Sequence, residues 1–154
     1  MLGSGEAKMQ KTARDLSRRY PGKIGVHIGF SEELSHQIEA GVDMFVMPSR
    51  FEPCGLNQLY SQRYGTPPIV HAIGGLADSV VDCTEEALKD GTASGFAFHG
   101  MTAANLFDAI QRAIDLYHNK AKWKLLRKNC MAKDFGWQRS AEAYRAVYLK
   151  ALGR

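Results

Sequence analysis

Residues 48–82 read PSRFEPCGLNQLYSQRYGTPPIVHAIGGLADSVVD, and the reading of this stretch decides the fold. A short apolar run, residues 44–47, precedes it and suits a strand; Pro48, Pro53 and Gly55 then make a turn that opens a helix. Ile69 and Val70 mark a second strand, ending in a second glycine turn, Gly74 and Gly75, that opens another helix over 76–81. Two successive strand–glycine–helix units bring two helix N-termini to one sheet edge. The first amides of a helix have no intrahelical acceptor and favour anions, so the pattern points to a ligand carrying a diphosphate.

Upstream, residues 1–5 resemble the end of a strand followed by a glycine turn, with the rest of that strand expected before residue 1, and 6–19 suits a helix. Gly3, Ser4 and Gly5 do not make a dinucleotide fingerprint, because Lys8 stands where the third glycine belongs. After the Pro21–Gly22 turn, 23–30 alternates as a strand with Ile24, Val26 and Ile28 on one face. Ser31 caps a helix that turns Leu34, Ile38 and His36 inward and ends at Gly41. Residues 43–47 look like a strand buried on both faces.

Downstream, 83–94 is polar and glycine-broken and reads as a surface excursion before a short strand at 95–98. From Thr102 the chain is helical, with Leu106, Phe107, Ile110, Ala113, Ile114 and Tyr117 as one apolar stripe. A helix at 123–131 carries Leu125 and Leu126, residues 135–137 punctuate, and a last helix, 140–152, is expected to bury Ala143, Tyr144, Val147 and Tyr148. Strands alternating with helices at this pace imply an α/β doubly wound parallel sheet, Rossmann-like, with right-handed crossovers.

At 154 residues the chain suits a single domain over 1–154. Hydrophobic residues at 45% and charged residues at 23% are ordinary for a globular protein and exclude disordered, collagenous and coiled-coil classes. No apolar run reaches the roughly 20 residues needed to span a bilayer and no signal pattern opens the chain, so a soluble intracellular protein is expected. A net charge of +4 without aromatic-interleaved basic stripes gives no reason to expect nucleic acid. Three cysteines, Cys54, Cys83 and Cys130, lack metal-like spacing, and the five histidines lack ligand spacing. No metal or cofactor is expected.

Glu52 lies in a turn after a strand, where open α/β sheets hold ligands. Its carboxylate can accept from sugar hydroxyls, and the amides of Cys54, Gly55 and Leu56 can donate; a helix-capping role for Glu52 is the plainer alternative. Cys54 reads as a small buried thiol rather than a nucleophile. Gly74 and Gly75 allow a backbone to approach a phosphate closely. Phe30, at a strand end, could stack on a base or pack the core.

At these residues the chain resembles the bacterial glycogen synthases and plant starch synthases. The resemblance rests on the run from Pro48 through Tyr60, on Arg63, Tyr64, Gly65 and Thr66, and on Gly74, Gly75, Leu76 and Asp78. Leu2 to Gly5, Gly29, Phe30, His36, Ala40, Gly41 and Trp137 extend it over nearly the whole chain. It implies the C-terminal, donor-binding half of a two-domain GT-B glycosyltransferase that retains configuration, adding glucose from ADP-glucose, or UDP-glucose, to the nonreducing end of an α-1,4-glucan. Glu52 would contact the donor glucose, while Cys54, Gly55 and Leu56 hold its hydroxyls. Asn57, Gly74, Gly75 and Leu76 would lie near diphosphate and ribose, with Phe30 on the adenine.

Two departures stand out: Tyr60 occupies the place of a second glutamate found in the wider group, and Ile73 replaces a threonine. The family's first strand-loop cations and its acceptor domain lie outside these residues, so the fragment alone is expected to bind donor at most. The setting implied is a bacterial cytoplasm or a plastid stroma. A non-catalytic nucleotide- or glucan-binding module, and a truncated fragment prone to self-association, are the other readings.

Overall fold

The computed structural model describes residues 1–153. They form two compact units, one of residues 1–41 and one from Val42 onward, each described by itself. Every strand pair among the described residues is parallel, and no helix is long and apolar enough to cross a membrane.

The first unit runs β1 (Leu2–Gly3), α1 (Ala7–Arg19), β2 (His27–Ile28) and α2 (Glu32–Gly41). Leu2 pairs with His27 and Gly3 with Ile28. The strand expected over 23–30 is shorter because the amides of Lys23 and Ile24 both donate to Tyr20 O at 3.1 Å, closing α1 instead of joining a ladder. The alternation survives: Ile24, Val26 and Ile28 are half-buried and alternate with exposed Lys23, Gly25 and His27. Ser31 Oγ accepts from Leu34 N at 3.2 Å, the cap expected for α2.

The second unit runs β3 (Phe45–Met47), α3 (Asn57–Tyr64), β4 (Pro68–His71), α4 (Gly75–Ser79), α5 (Glu85–Lys89), β5 (Phe96–Phe98), α6 (Ala103–His118), α7 (Lys120–Ala132) and α8 (Trp137–Ala151). Its sheet has the order β3-β4-β5, with Val46 opposite Ile69 and Val70 opposite Ala97. Alternate residues enter two separate cores. Ile69, Phe96 and Phe98 pack with Ala109, Trp123 and Leu126 on one face, while Val70 packs with Leu76 and Val80 on the other. Both faces are therefore covered, which is the doubly wound α/β plan read from the sequence.

Further expectations change. β3 is the edge strand of its sheet and Val46 stays 41% exposed, so it is not buried on both faces. Residues 83–94 are no surface excursion: Thr84 caps α5, and Leu88, Ala93 and Ser94 are buried. Ser94 is tolerated there because its Oγ accepts from Val81 N at 3.0 Å and its carbonyl from Cys130 Sγ.

The apolar stripe of α6 is rotated, with Ala109 and Ala113 against the sheet and Phe107 63% exposed. Small side chains let that helix approach β5 closely, and Leu106, Ile110, Leu116 and Tyr117 pack beside them. In α7 likewise, Leu126 is buried and Leu125 exposed. Finally, α8 buries nothing; Tyr144, Val147 and Tyr148 are exposed because little of this unit lies against it.

Candidate functional site

β3 ends at Met47, and residues 48–56 cross the sheet edge as an irregular turn before α3. Ser49 anchors it. His71 Nδ1 lies 2.8 Å from Ser49 O, and since a carbonyl only accepts, Nδ1 carries the proton. Ser49 Oγ in turn reaches Glu52 Oε2 at 3.5 Å. Glu52 is half-buried at the C-terminal side of the sheet.

The glycine pair after β4 meets this turn directly. Gly75 N donates to Glu52 O and Pro53 O, each at 3.1 Å. A Cβ on Gly74 would sit 2.1 Å from Glu52 O, and one on Gly75 would sit 2.0 Å from Cys54 O. The close backbone approach that the glycines permit is thus first of all an approach of the two turns to each other. Within α4 the amides of Leu76 and Ala77 donate to Ile73 O and Gly74 O, and the Leu76 side chain is fully buried.

A buried polar layer, which the sequence reading missed, ties the turns from below. Gln58, Ser61 and Gln62 are 0–1% exposed, while Leu56, Tyr60 and Tyr64 on the same segment are at least 40% exposed. Gln58 Nε2 donates to Cys54 O at 2.9 Å, Gly55 O at 3.1 Å and Ser79 Oγ at 3.1 Å, and Ser79 Oγ donates on to Gly75 O. Gln62 Nε2 reaches Gln58 O and Ser79 O. The spacing 58, 61, 62 is a helical face, but its polar character disguises it as a solvent face.

Glu52, Cys54, Gly55, Leu56, Asn57, Gly74, Gly75 and Leu76 are brought together in this unit. Cys54 is exposed, which corrects its reading as a buried thiol: its peptide, not its side chain, is what packs. Neither α3 nor α4 has a side-chain cap, in contrast to α5, α6 and α7. A cleft of about 670 Å³ opens beside them, lined in part by Cys54, Leu56, Gln58, Asp78, Phe135 and Arg139. Phe30 belongs to the other unit and is 90% exposed, so its ring does not pack a core. Among the described residues no group of His, Cys, Asp or Glu is arranged to hold a metal.

These features define a class. Residues 1–128 match the family described as Glycosyl transferases group 1, and the chain belongs to that family. Within it the chain is similar to the glycogen synthase of Nitrosomonas eutropha, at 58% identity over 96% of this chain and 30% of the relative. It is also similar to that of Nitrosospira multiformis, at 54% over 100% of this chain and 31% of the relative. The chain therefore spans about a third of the length of these relatives.

Among solved structures, the catalytic domain of starch synthase IV from Arabidopsis thaliana, bound to ADP and acarbose, matches with a TM-score of 0.81. Its identity is 31%, over 99% of this chain and 31% of that one. Sucrose-phosphate synthase from Thermosynechococcus elongatus shares the fold at a TM-score of 0.62, with 22% identity over 99% of this chain and 38% of that one. The α/β fold is that of the GT-B glycosyltransferases.

Proposed function

We propose that these residues form one Rossmann-like donor-binding domain of a retaining glucosyltransferase. The whole enzyme passes glucose from ADP-glucose to the nonreducing end of an α-1,4-glucan. The observation that carries this reading is the Glu52 carboxylate standing at a strand end beside the uncapped start of α3, within a chain 58% identical to a glycogen synthase. A carboxylate accepts from sugar hydroxyls while free amides donate to them, so the pair grips a glucosyl group from both sides.

In this reading the amides of Cys54, Gly55 and Leu56 meet the glucose. Asn57 and the Gly74, Gly75 and Leu76 turn border diphosphate and ribose. Glu52 orients the sugar, and attack comes from the face the leaving phosphate occupies. The chain spans 30% of the Nitrosomonas eutropha glycogen synthase, and in this reading it binds donor by itself without elongating glucan. A bacterial cytoplasm or a plastid stroma suits this chemistry.

Calorimetric titration with ADP, ADP-glucose and UDP-glucose tests the reading on the chain and on Glu52→Ala. ADP-glucose should bind more tightly than ADP, and the difference should vanish in the variant, whose backbone contact from Glu52 O to Gly75 is untouched. Equal binding of UDP-glucose would remove the ADP-glucose assignment. No binding at millimolar ligand would remove the donor-binding domain.

A further inference from the structure

We propose that Gln58 is the positioning residue that aims the amides of Gly55 and Leu56 at the donor; this rests on the donor-binding reading above. Gln58 is 1% exposed, and its Nε2 faces two carbonyls, Cys54 O at 2.9 Å and Gly55 O at 3.1 Å. Carbonyl oxygens only accept, so the amide nitrogen must be the atom that faces them.

The consequence follows from peptide geometry. None of the described peptide bonds is cis, and in a planar trans peptide C=O and N–H point in opposite directions. Cys54 O shares its peptide with Gly55 N, and Gly55 O shares its peptide with Leu56 N. Drawing both carbonyls onto one buried Nε2 therefore turns both N–H groups away from Gln58, side by side.

Among the described residues neither amide has a protein acceptor. Gly55 has φ +71° and Leu56 φ −120°, ψ −33°, a left-handed residue followed by a right-handed one. Successive amides in such a pair converge on one electron-rich oxygen. The ligand class is accordingly an oxygen with negative or partial negative charge, here a sugar hydroxyl of the donor.

Gln58 also passes its hold to the second turn, through Ser79 Oγ to Gly75 O. Its own Oε1 is buried without a partner and lies 2.5 Å from where a Cβ on Gly55 would stand. A side chain kept in a buried, partly unsatisfied state is costly for stability alone. Its two N–H groups are shared among two carbonyls of the first turn and the Ser79 hydroxyl of α4, which in turn holds Gly75 O.

The test compares the chain with Gln58→Leu and Ser79→Ala by calorimetry with ADP and with ADP-glucose, after circular dichroism has shown which variants fold. Gln58→Leu should keep ADP affinity within about twofold and lose about tenfold of the gain that glucose adds, with a smaller loss for Ser79→Ala. Unchanged ADP-glucose affinity, or an equal fall for both ligands, would overturn the positioning role. Should the unsubstituted chain bind neither ligand, the donor-binding reading falls instead. Backbone amide NMR then decides the Gln58 clamp in Gln58→Leu, or in Ser79→Ala where the former does not fold. Shifts confined to the Gly55 and Leu56 amides, with Ile69 and Val70 unmoved, support the clamp, and unmoved Gly55 and Leu56 refute it.

Discussion

Two helices of the same unit are built on opposite plans. α6 turns Ala109 and Ala113 to the sheet with Leu106, Ile110 and Tyr117 around them, so it is held by apolar burial. α3 turns Gln58, Ser61 and Gln62 inward and leaves Tyr60 and Tyr64 at least 40% exposed. Burial is non-directional and stabilises wherever area is lost to water, whereas hydrogen bonds fix atoms in place and add little net free energy. The difference teaches what each helix is for: α6 holds the fold together, and α3 holds the turns in register.

Breaking the register should have the largest effect. Gly75 has no left-handed φ to protect, and in an ordinary helix alanine would be preferred there by about 1 kcal/mol. Here an added Cβ would lie 2.0 Å from Cys54 O and 2.5 Å from Cys54 C and Cα, all of them backbone atoms. Gly75→Ala should therefore destabilise the chain by about 3 kcal/mol in urea unfolding, because one turn must be pushed off the other. A neutral result would mean that the two turns move apart freely and that α3 does not register them.

How much of this the sequence shows depends on which forces write the pattern. The parallel α/β plan is legible because Ile69, Val70, Phe96 and Phe98 lie in short apolar runs between glycine turns, and glycine and apolar patterning are local signals. The candidate residues around Glu52 are legible for the same reason, through the Pro53, Gly55, Gly74 and Gly75 punctuation. The Gln58, Ser61 and Gln62 layer is not, since a polar face at helical spacing has the same pattern whether it meets water or a loop. Phe107 and Ile114 misled the reading of α6: the helix selects its inward face by how closely it can approach the sheet, and Ala109 with Ala113 decide that. In α8, periodicity marks a stripe at Tyr144 and Val147 but says nothing about what lies against it.

The apolar side of the comparison can be sharpened by pH. Burial pushes the Cys130 thiol up to about 12 from its ordinary 9.0, and burial together with the Asp82 carboxylate pushes Cys83 up to about 11. A folded value above the unfolded one means that the stabilisation is complete below about pH 9 and is lost as pH rises through the folded value. Between those limits the unfolded chain releases a proton that the folded chain keeps. Urea unfolding from pH 9 upward should show stability falling by about 1 kcal/mol per pH unit from Cys130 alone. Cys130→Ala should lower stability by a constant amount below about pH 9 and reduce the slope above it, so that the two curves converge as pH rises. Identical slopes would show that Cys130 is not sealed in the apolar core of α6 and α7.

The smallest effect on stability is expected on the polar side. Gln62 is fully buried and donates to Gln58 O at 3.0 Å and Ser79 O at 3.3 Å, yet its Oε1 has no partner. Gln62→Leu would remove two hydrogen bonds, relieve one unsatisfied oxygen and add apolar surface to a buried site. Gln58 O would keep the Ser61 Oγ donor at 3.1 Å. These contributions oppose one another, and the net change in unfolding free energy should stay within about 1 kcal/mol of zero. Position is a different matter, because the leucine cannot hold Gln58 and Ser79 at a fixed separation. Affinity for ADP-glucose should fall while the urea midpoint barely moves, which no loss of core packing would produce. A loss of stability above about 2 kcal/mol with unchanged affinity would reverse the assignment and make the polar face of α3 as structural as the apolar face of α6.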